Sequence, residues 1–508
     1  MGTDVCLISP SSRANEPTLP FGLLYISGYL QKYGGIKTEI IDLKTNAFGP
    51  LSGVTRHRLE RMILERLKQA KPSLVGITCL VTEVNEVLDL SADVKNLMPY
   101  TVIVVGGIHP SMYPEDFLYD GSPIDYVVIG EGEETFTELA TAAINGDSVQ
   151  EIRSIVWFEG QSVQKTPSRP PIGDLDKIPF PLYEQIDTDY YFRPGINIIR
   201  NMFLSTAQIF TSRGCPAQCT FCVNKNLNKI MGSRKPFRQR SVRNVVDEIE
   251  YLARRYAVDG FYICDDAFCI RRQWTFDFCA ELGRRNLGLI WATETRVNLV
   301  SREMIKAMRD AGCIQLDFGV ESGSSEVLER MKKGITLEQV RNAFRWCHEL
   351  GIRPMANFMF NTPGETENDV QKTLVLAKEV DACYYNFALM TPFPGTDIYE
   401  EVRPKLTKDE YGLFSGAYTT LKDPRFRFSQ HDLDLDKLVW KAHVSFNTLW
   451  RRASFLFNMA YLKQILKSRR KWEYLTTLLK VFRRIIDYYW AHLKYALRYY
   501  LTWSAISD

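Results

Sequence analysis

The chain has 508 residues, 45% of them apolar and 24% charged, with a formal charge of +3. That length calls for roughly two to four domains and that balance for buried cores, which excludes a disordered or fibrous chain. Eleven cysteines, three of them crowded into eight residues, exclude a secreted disulfide framework and suit a metal site in a reducing compartment.

In chain order, Val5–Ser9, Thr38–Asp42, Ser73–Thr78, Thr101–Val105 and Tyr126–Ile129 are short apolar runs that read as strands. Phe21–Tyr33 and Arg56–Ala70 lie between them with helical spacing. This alternation predicts βαβ units and a doubly wound parallel sheet over residues 1–165, with ligands held at the carboxyl ends of its strands. A hairpin-like stretch, Ser154–Gln164, and a proline-rich connector, Pro167–Pro181, follow, and residues 166–204 read as a linker. A second alternation then runs over residues 205–400, with strands at Ala207–Ser212, Gly260–Cys264, Ile290–Glu294, Ile314–Gly319, Pro354–Phe360 and Ala382–Met390. Six βα repeats of this length predict a partial TIM-type barrel with its chemistry at the C-terminal strand ends. Residues 401–508 read as helical, basic and aromatic. The fold class is therefore α/β, a Rossmann-like sheet followed by a partial (β/α)6 barrel and a helical C-terminal region.

The densest motif follows the first barrel strand, where Cys215, Cys219 and Cys222 stand at C-x3-C-x2-C. Three such thiolates can hold three irons of a [4Fe–4S] cubane and leave the fourth open for a reactant. Structural zinc is the alternative, but it wants a fourth Cys or His nearby, and the next cysteine is Cys264 on the following strand. Cys264 and Cys269 alone are a poor set for a second cluster, since buried thiols commonly serve as core residues.

With Phe221 just before the last cysteine, this motif at the end of a first barrel strand resembles the radical S-adenosylmethionine (radical SAM) superfamily. The resemblance implies that the open iron chelates S-adenosylmethionine, whose cleavage gives a 5′-deoxyadenosyl radical. Asp265-Asp266 occupies the place of the family's Gly-Gly-Glu, and Glu294, Arg296, Glu321 and Ser322 sit at later strand ends. With Phe221 they are the residues expected at S-adenosylmethionine. Each charged one has a plain alternative, an ion pair with a neighbouring helix. Asn361-Thr-Pro-Gly-Glu-Thr366 is similar to the family's Gly-x-Pro-Gly-Glu-Thr, with asparagine for the first glycine, and Thr391-Pro-Phe-Pro-Gly-Thr396 also matches.

A parallel-sheet domain before such a barrel resembles the cobalamin-binding (B12-binding) radical SAM subfamily. Thr78-x-Leu80, Gly106-Gly107 and Gly130-Glu-Gly-Glu133 carry the likeness. It implies a cobalamin site at Ser9, Ser11, Thr78, Leu80, Gly106, Gly107, Glu131 and Gly132. The cobalt-binding Asp-x-His-x-x-Gly is absent, which many relatives share, so the domain either binds cobalamin without a protein histidine or has lost it. His109 is expected to cap a helix or touch the corrin rim.

The start, MGTDVCLISP, lacks the basic and apolar parts of a signal peptide, and no apolar run reaches the roughly 18 residues of a membrane span. A cytoplasmic protein is expected. Residues 451–508 carry 12 Lys and Arg against 3 Asp and Glu, while the rest carries 51 basic and 57 acidic residues. From Trp472 on, Leu475, Leu479, Phe482, Ile486, Tyr489 and Leu493 form a helical stripe that suits either a packed cap or peripheral contact with the inner face of an anionic membrane. Nucleic-acid modules are missing.

The leading expectation is a cobalamin-dependent C-methyltransferase on a hydrophobic, lipid- or tetrapyrrole-like substrate, supplied with electrons by a partner such as flavodoxin or ferredoxin. The alternatives are a cyclase or oxidoreductase of the same architecture and a non-catalytic cobalamin-binding protein. A methylthiotransferase is disfavoured because only Cys6 and Cys79 precede Cys215.

Overall fold

The computed structural model describes residues 3–11, 18–43, 56–195, 204–414, 423–448, 451, 458–477, 479, 483, 486 and 490. Two parallel sheets dominate. In the first, β1 (Val5–Ser9), β2 (Thr38–Asp42), β3 (Leu74–Thr78), β4 (Val102–Gly106) and β5 (Tyr126–Val128) pair in parallel in the order β2-β1-β3-β4-β5. Reversal of strand order on either side of β1 is the doubly wound pattern, which places a crevice at the strand C-termini. β6 (Ile155–Glu159) and β7 (Ser162–Lys165) extend the sheet as the antiparallel hairpin expected from the sequence.

The second sheet runs β15-β14-β13-β12-β11-β8, all parallel, from β8 (Thr206–Ile209) through β11 (Gly260–Ile263), β12 (Ile290–Thr295), β13 (Cys313–Glu321) and β14 (Arg353–Phe360) to β15 (Tyr384–Leu389). All six expected barrel strands form. Between β8 and β11 a two-stranded ribbon, β9 (Ser212–Arg213) and β10 (Arg238–Gln239), stands at the mouth. Outer helices start at side-chain caps: Thr336 and Thr366 each close a capping box with Gln339 and Asp369.

The connector at 167–181 packs down rather than hanging loose. Ile172, Leu175 and Ile178 are buried with Tyr25 in a small apolar cluster. Tyr183 donates to Glu248 at 2.8 Å and Tyr191 to Asp42, so residues just beyond the connector bond both to the first sheet and to the barrel's outer helix Val242–Tyr256. One face of the first sheet thereby shares a continuous apolar core with the barrel. On the other face, Tyr399, Val402, Tyr411 and Phe414 of the C-terminal region join the core of β1, β3 and β4.

Asparagine at 361 has a structural explanation. Its φ is +61°, in the left-handed region that asparagine tolerates better than most side chains. Its amide also clasps the C-terminal segment, donating to Phe426 O at 2.7 Å and accepting from Phe428 N at 3.0 Å. The family's glycine offers no such clasp.

The end of the barrel where strands begin is closed by the helix Met459–Lys467 and residues 471–477. Tyr474 donates to Asp259, just before β11, and accepts from Ser205 N, just before β8. Arg353, the first residue of β14, donates to Tyr461 at 3.2 Å. Among the described residues, no helix is long and apolar enough to cross a membrane. Of the expected C-terminal stripe, Phe482, Tyr489 and Leu493 lie outside the described residues.

Candidate active site

At the opposite end, where strands finish, β8 delivers the cysteine loop. Asp265, directly after β11, anchors that loop: its carboxylate accepts from Thr211 N at 2.7 Å, Ser212 N at 3.1 Å, Ser212 Oγ at 2.6 Å and Thr211 Oγ1. Burial nevertheless pushes its carboxyl up to about 6. Cys215 and Cys219 are buried, Cys222 is half-buried, and none of the three is in a disulfide. Burial raises the Cys215 and Cys222 thiols, a cost that bonding to iron reverses by taking the sulfur as thiolate.

The donor set fits a cubane. Among the described residues, no three His, Cys, Asp or Glu side chains converge closely enough for a single metal ion. A cluster takes each thiolate on a different iron, and three cysteines on one loop beside an open pocket can supply them. Arg296 directs an N–H at Cys219 Sγ from 3.6 Å, and Asn224 directs its amide at Cys222 Sγ from 3.7 Å. Such donors to sulfur tune cluster potential.

A pocket of about 240 Å³ opens beside these thiols and is lined by Phe221, Asp266, Glu294, Arg296, Glu321, Lys333, Asn224 and Asn357 among others. Five of the seven residues expected at S-adenosylmethionine are therefore brought together. Two are not. Asp265 turns away into the bonds just described, and Ser322 is fully buried, bonded to Ser324 N and facing Thr373 Oγ1.

Glu321 reaches the pocket through a register shift between Gly319 and Glu321, with Glu321 at φ +69°. Irregularities of this kind re-aim side chains near active sites. Its carboxylate accepts from Lys333 Nζ at 2.6 Å, and both side chains are less than 10% exposed as residues. Lys333, which no sequence motif marked, also stands 5.7 Å from the Phe221 ring and accepts from Arg296 through its backbone oxygen.

A larger cavity, about 420 Å³, lies between the C-terminal ends of β1, β3, β4 and β5 and the helix that follows the cysteines, Asn224–Ile230. Thr78, Gly106, Gly107, Glu131 and Gly132 line it, as expected, with Tyr25, Phe210 and Met231. Several of its glycines leave no room for a side chain. At Gly107, with φ +116°, a Cβ would stand 2.9 Å from Cys79 O, and at Gly130 it would stand 2.8 Å from Met231 Cγ. At Gly76, in the depth of the slot, it would meet the Phe136 ring at 2.6 Å. Such a cradle of bare backbone and apolar walls fits a large flat cofactor with a tail inserted between strands.

Ser9, Ser11 and Leu80 are not among the lining residues. Ser9 is buried with an unpartnered Oγ, Ser11 bonds Glu86 through N and Oγ, and Leu80 is 42% exposed. His109 neither caps a helix nor reaches the cavity. It is buried, with Nε2 at 2.9 Å from Asp116 Oδ2, and Tyr411 donates to the same oxygen at 3.0 Å.

The first sheet is tied by charge to the ribbon beside the cysteine loop. On the ribbon, Arg213 and Arg238 sit in register. Arg238 grips both oxygens of Glu131 at 2.7 and 2.9 Å, and Arg213 reaches Glu131 at 3.3 Å and Glu133 at 2.5 Å. Burial opposes ionisation, yet the two arginines hold the Glu131 carboxyl below its usual range. Asn224 and Asp266 line both the pocket and the cavity, so the two spaces share a wall.

Comparison with known proteins agrees with this geometry. Residues 209–377 match the radical SAM superfamily and residues 12–140 the B12 binding domain. The cytidylyl-2-hydroxyethylphosphonate methyltransferase of Streptomyces wedmorensis is 30% identical over 464 residues, 82% of this chain and 84% of that protein. The anaerobic magnesium-protoporphyrin IX monomethyl ester cyclase of Rubrivivax gelatinosus is 28% identical over 471 residues, 91% and 78% of the two chains. In fold, the chain resembles the radical S-adenosylmethionine methyltransferase TsrM from Kitasatospora setae, solved with cobalamin and a [4Fe–4S] cluster bound. The TM-score is 0.63 at 23% identity, covering 80% of this chain and 75% of that one. The chain belongs to the cobalamin-binding radical SAM enzymes, whose cofactors are a [4Fe–4S] cluster, S-adenosylmethionine and cobalamin.

Proposed function

We propose that the enzyme methylates an unactivated carbon of a hydrophobic, lipid- or tetrapyrrole-like substrate. The observation that carries this reading is the shared wall: a reaction using two cofactors on one carbon needs them to flank a common space, and Asn224 and Asp266 border both compartments. When bound, the cluster with S-adenosylmethionine supplies hydrogen-atom abstraction and cobalamin supplies a methyl group.

In this reading Cys215, Cys219 and Cys222 hold three irons. Phe221, Asp266, Glu294, Arg296 and Glu321 cradle S-adenosylmethionine, joined by Lys333. The opposite charges of Lys333 and Glu321 suit the zwitterionic methionine end, and the Phe221 ring shields that pair from water. Asp265 and Ser322 act by holding the neighbours that make contact. Thr78, Gly106, Gly107, Glu131 and Gly132 hold cobalamin. A one-electron donor such as flavodoxin or ferredoxin and a cytoplasmic setting complete the proposal.

A second reading, ring closure or oxidation, is favoured by the likeness to the cyclase over 91% of this chain. One experiment separates them: anaerobic turnover of candidate tetrapyrroles and lipids with methyl-labelled S-adenosylmethionine. Label in a product heavier by one CH2 supports methylation. 5′-Deoxyadenosine with an altered but unlabelled product supports the second reading and overturns the first.

A further inference from the structure

Among the described residues, the helices that close the barrel leave one apolar face uncovered. On Met459–Lys467, Met459, Leu462 and Leu466 are 63%, 37% and 78% exposed and fall on one side of the helix. Trp472, Leu475 and Leu479 continue the pattern at 73%, 55% and 67%. The other side holds the segment in place, through Tyr461 on Arg353 and Tyr474 on Asp259. The face is therefore presented outward by an anchored element. Large apolar side chains exposed at helical spacing on two successive helical segments mark an interaction surface.

Charge selects the occupant. Lys463, Lys467, Arg469 and Lys471 are exposed around the face. Residues 451–508 carry 12 basic against 3 acidic side chains, although the rest of the chain is net acidic. We propose that this face docks on the surface of an anionic lipid bilayer. Apolar and tryptophan side chains sink to the headgroup boundary while the flanking cations meet lipid phosphates. A second copy would bring two cationic faces together, which like-charge repulsion opposes. A nucleic acid would use the cations but leave the apolar face wet.

Docking here is recruitment rather than substrate entry, because the face lies at the end where barrel strands begin and the cysteine pocket lies where they finish. The proposal stands apart from the methyl-transfer reading. Its test is anaerobic co-sedimentation of the full chain with phosphatidylcholine vesicles, with and without phosphatidylglycerol. Binding that requires phosphatidylglycerol and weakens with salt is expected. The triple change Leu466→Glu, Trp472→Glu, Leu475→Glu is expected to lower it at least about tenfold with iron content and melting temperature unchanged. A second set, Lys463→Gln with Lys467→Gln and Lys471→Gln, is expected to remove the lipid-charge dependence. Failure of the native protein to bind phosphatidylglycerol vesicles would overturn the proposal. So would concentration-dependent dimerisation that the triple change abolishes, which assigns the face to a second copy.

Discussion

At the residue scale, Asp265 and Asp266 differ in what they can do although the sequence presents them as a pair. Asp265 spends both oxygens on four donors from Thr211 and Ser212, and Asp266 faces the shared wall. Asp265→Ala removes both acceptor oxygens, leaving the buried Thr211 and Ser212 N–H groups unpaired at about 1–3 kcal/mol each. The expected outcome is a lower denaturation midpoint and reduced iron per chain, read by chemical denaturation and iron assay. An unchanged midpoint would contradict the anchoring role.

Glu365 gives a pH prediction. Burial pushes its carboxyl up to about 8, and His431 Nε2 lies 3.5 Å away, with Arg330 and Asp369 as the other charged groups acting on it. Its folded value exceeds the usual carboxylate value, so between the two the folded chain holds the extra proton. Stability then falls as pH rises through that window. The native protein is expected to lose melting temperature from pH about 5 to about 8, and Glu365→Gln to lose less. Equal losses in both would contradict the buried protonated carboxyl.

At the scale of elements, the cavity rests on glycine backbone. Gly107→Ala places a Cβ at φ +116° against Cys79 O, so the loop between β4 and the helix Ile108–Met112 must shift. Bound cobalt is expected to fall severalfold while the cluster and fold persist, measured by elemental analysis and circular dichroism. The strands and the cysteine motif were legible in sequence because their signals are local: apolar runs of strand length, and three thiols within eight residues. Which member of each strand-end pair faces the pocket was not, because the answer depends on strand register and on the shift that redirects Glu321. Lys333, Arg213 and Arg238 were also missed. Lys333 follows a short helix after β13, and the two arginines meet Glu131 across the two sheets, so only packing makes them neighbours. Ser9, Ser11 and Leu80 were expected in the cavity from motif position, but their side chains end up outside its lining.

At the scale of the molecule, the first sheet, the cysteine loop and the barrel form one site because a charged ribbon and a shared apolar core hold them together. Arg213→Ala removes the bond to Glu133 and leaves that buried carboxylate unpaired. Loss of cobalamin retention is expected with the cysteine cluster still assembled, read as cobalt and iron per chain after gel filtration. The central claim is that two cofactors flank one space. Its most direct measurement is cobalt and iron per chain in the native protein, purified anaerobically from cells supplied with cobalamin. The account expects one cobalt and one four-iron cluster per chain, both surviving gel filtration, and cobalt retained in Cys219→Ala after iron is lost. Cobalt at background in protein with its cluster intact would contradict it.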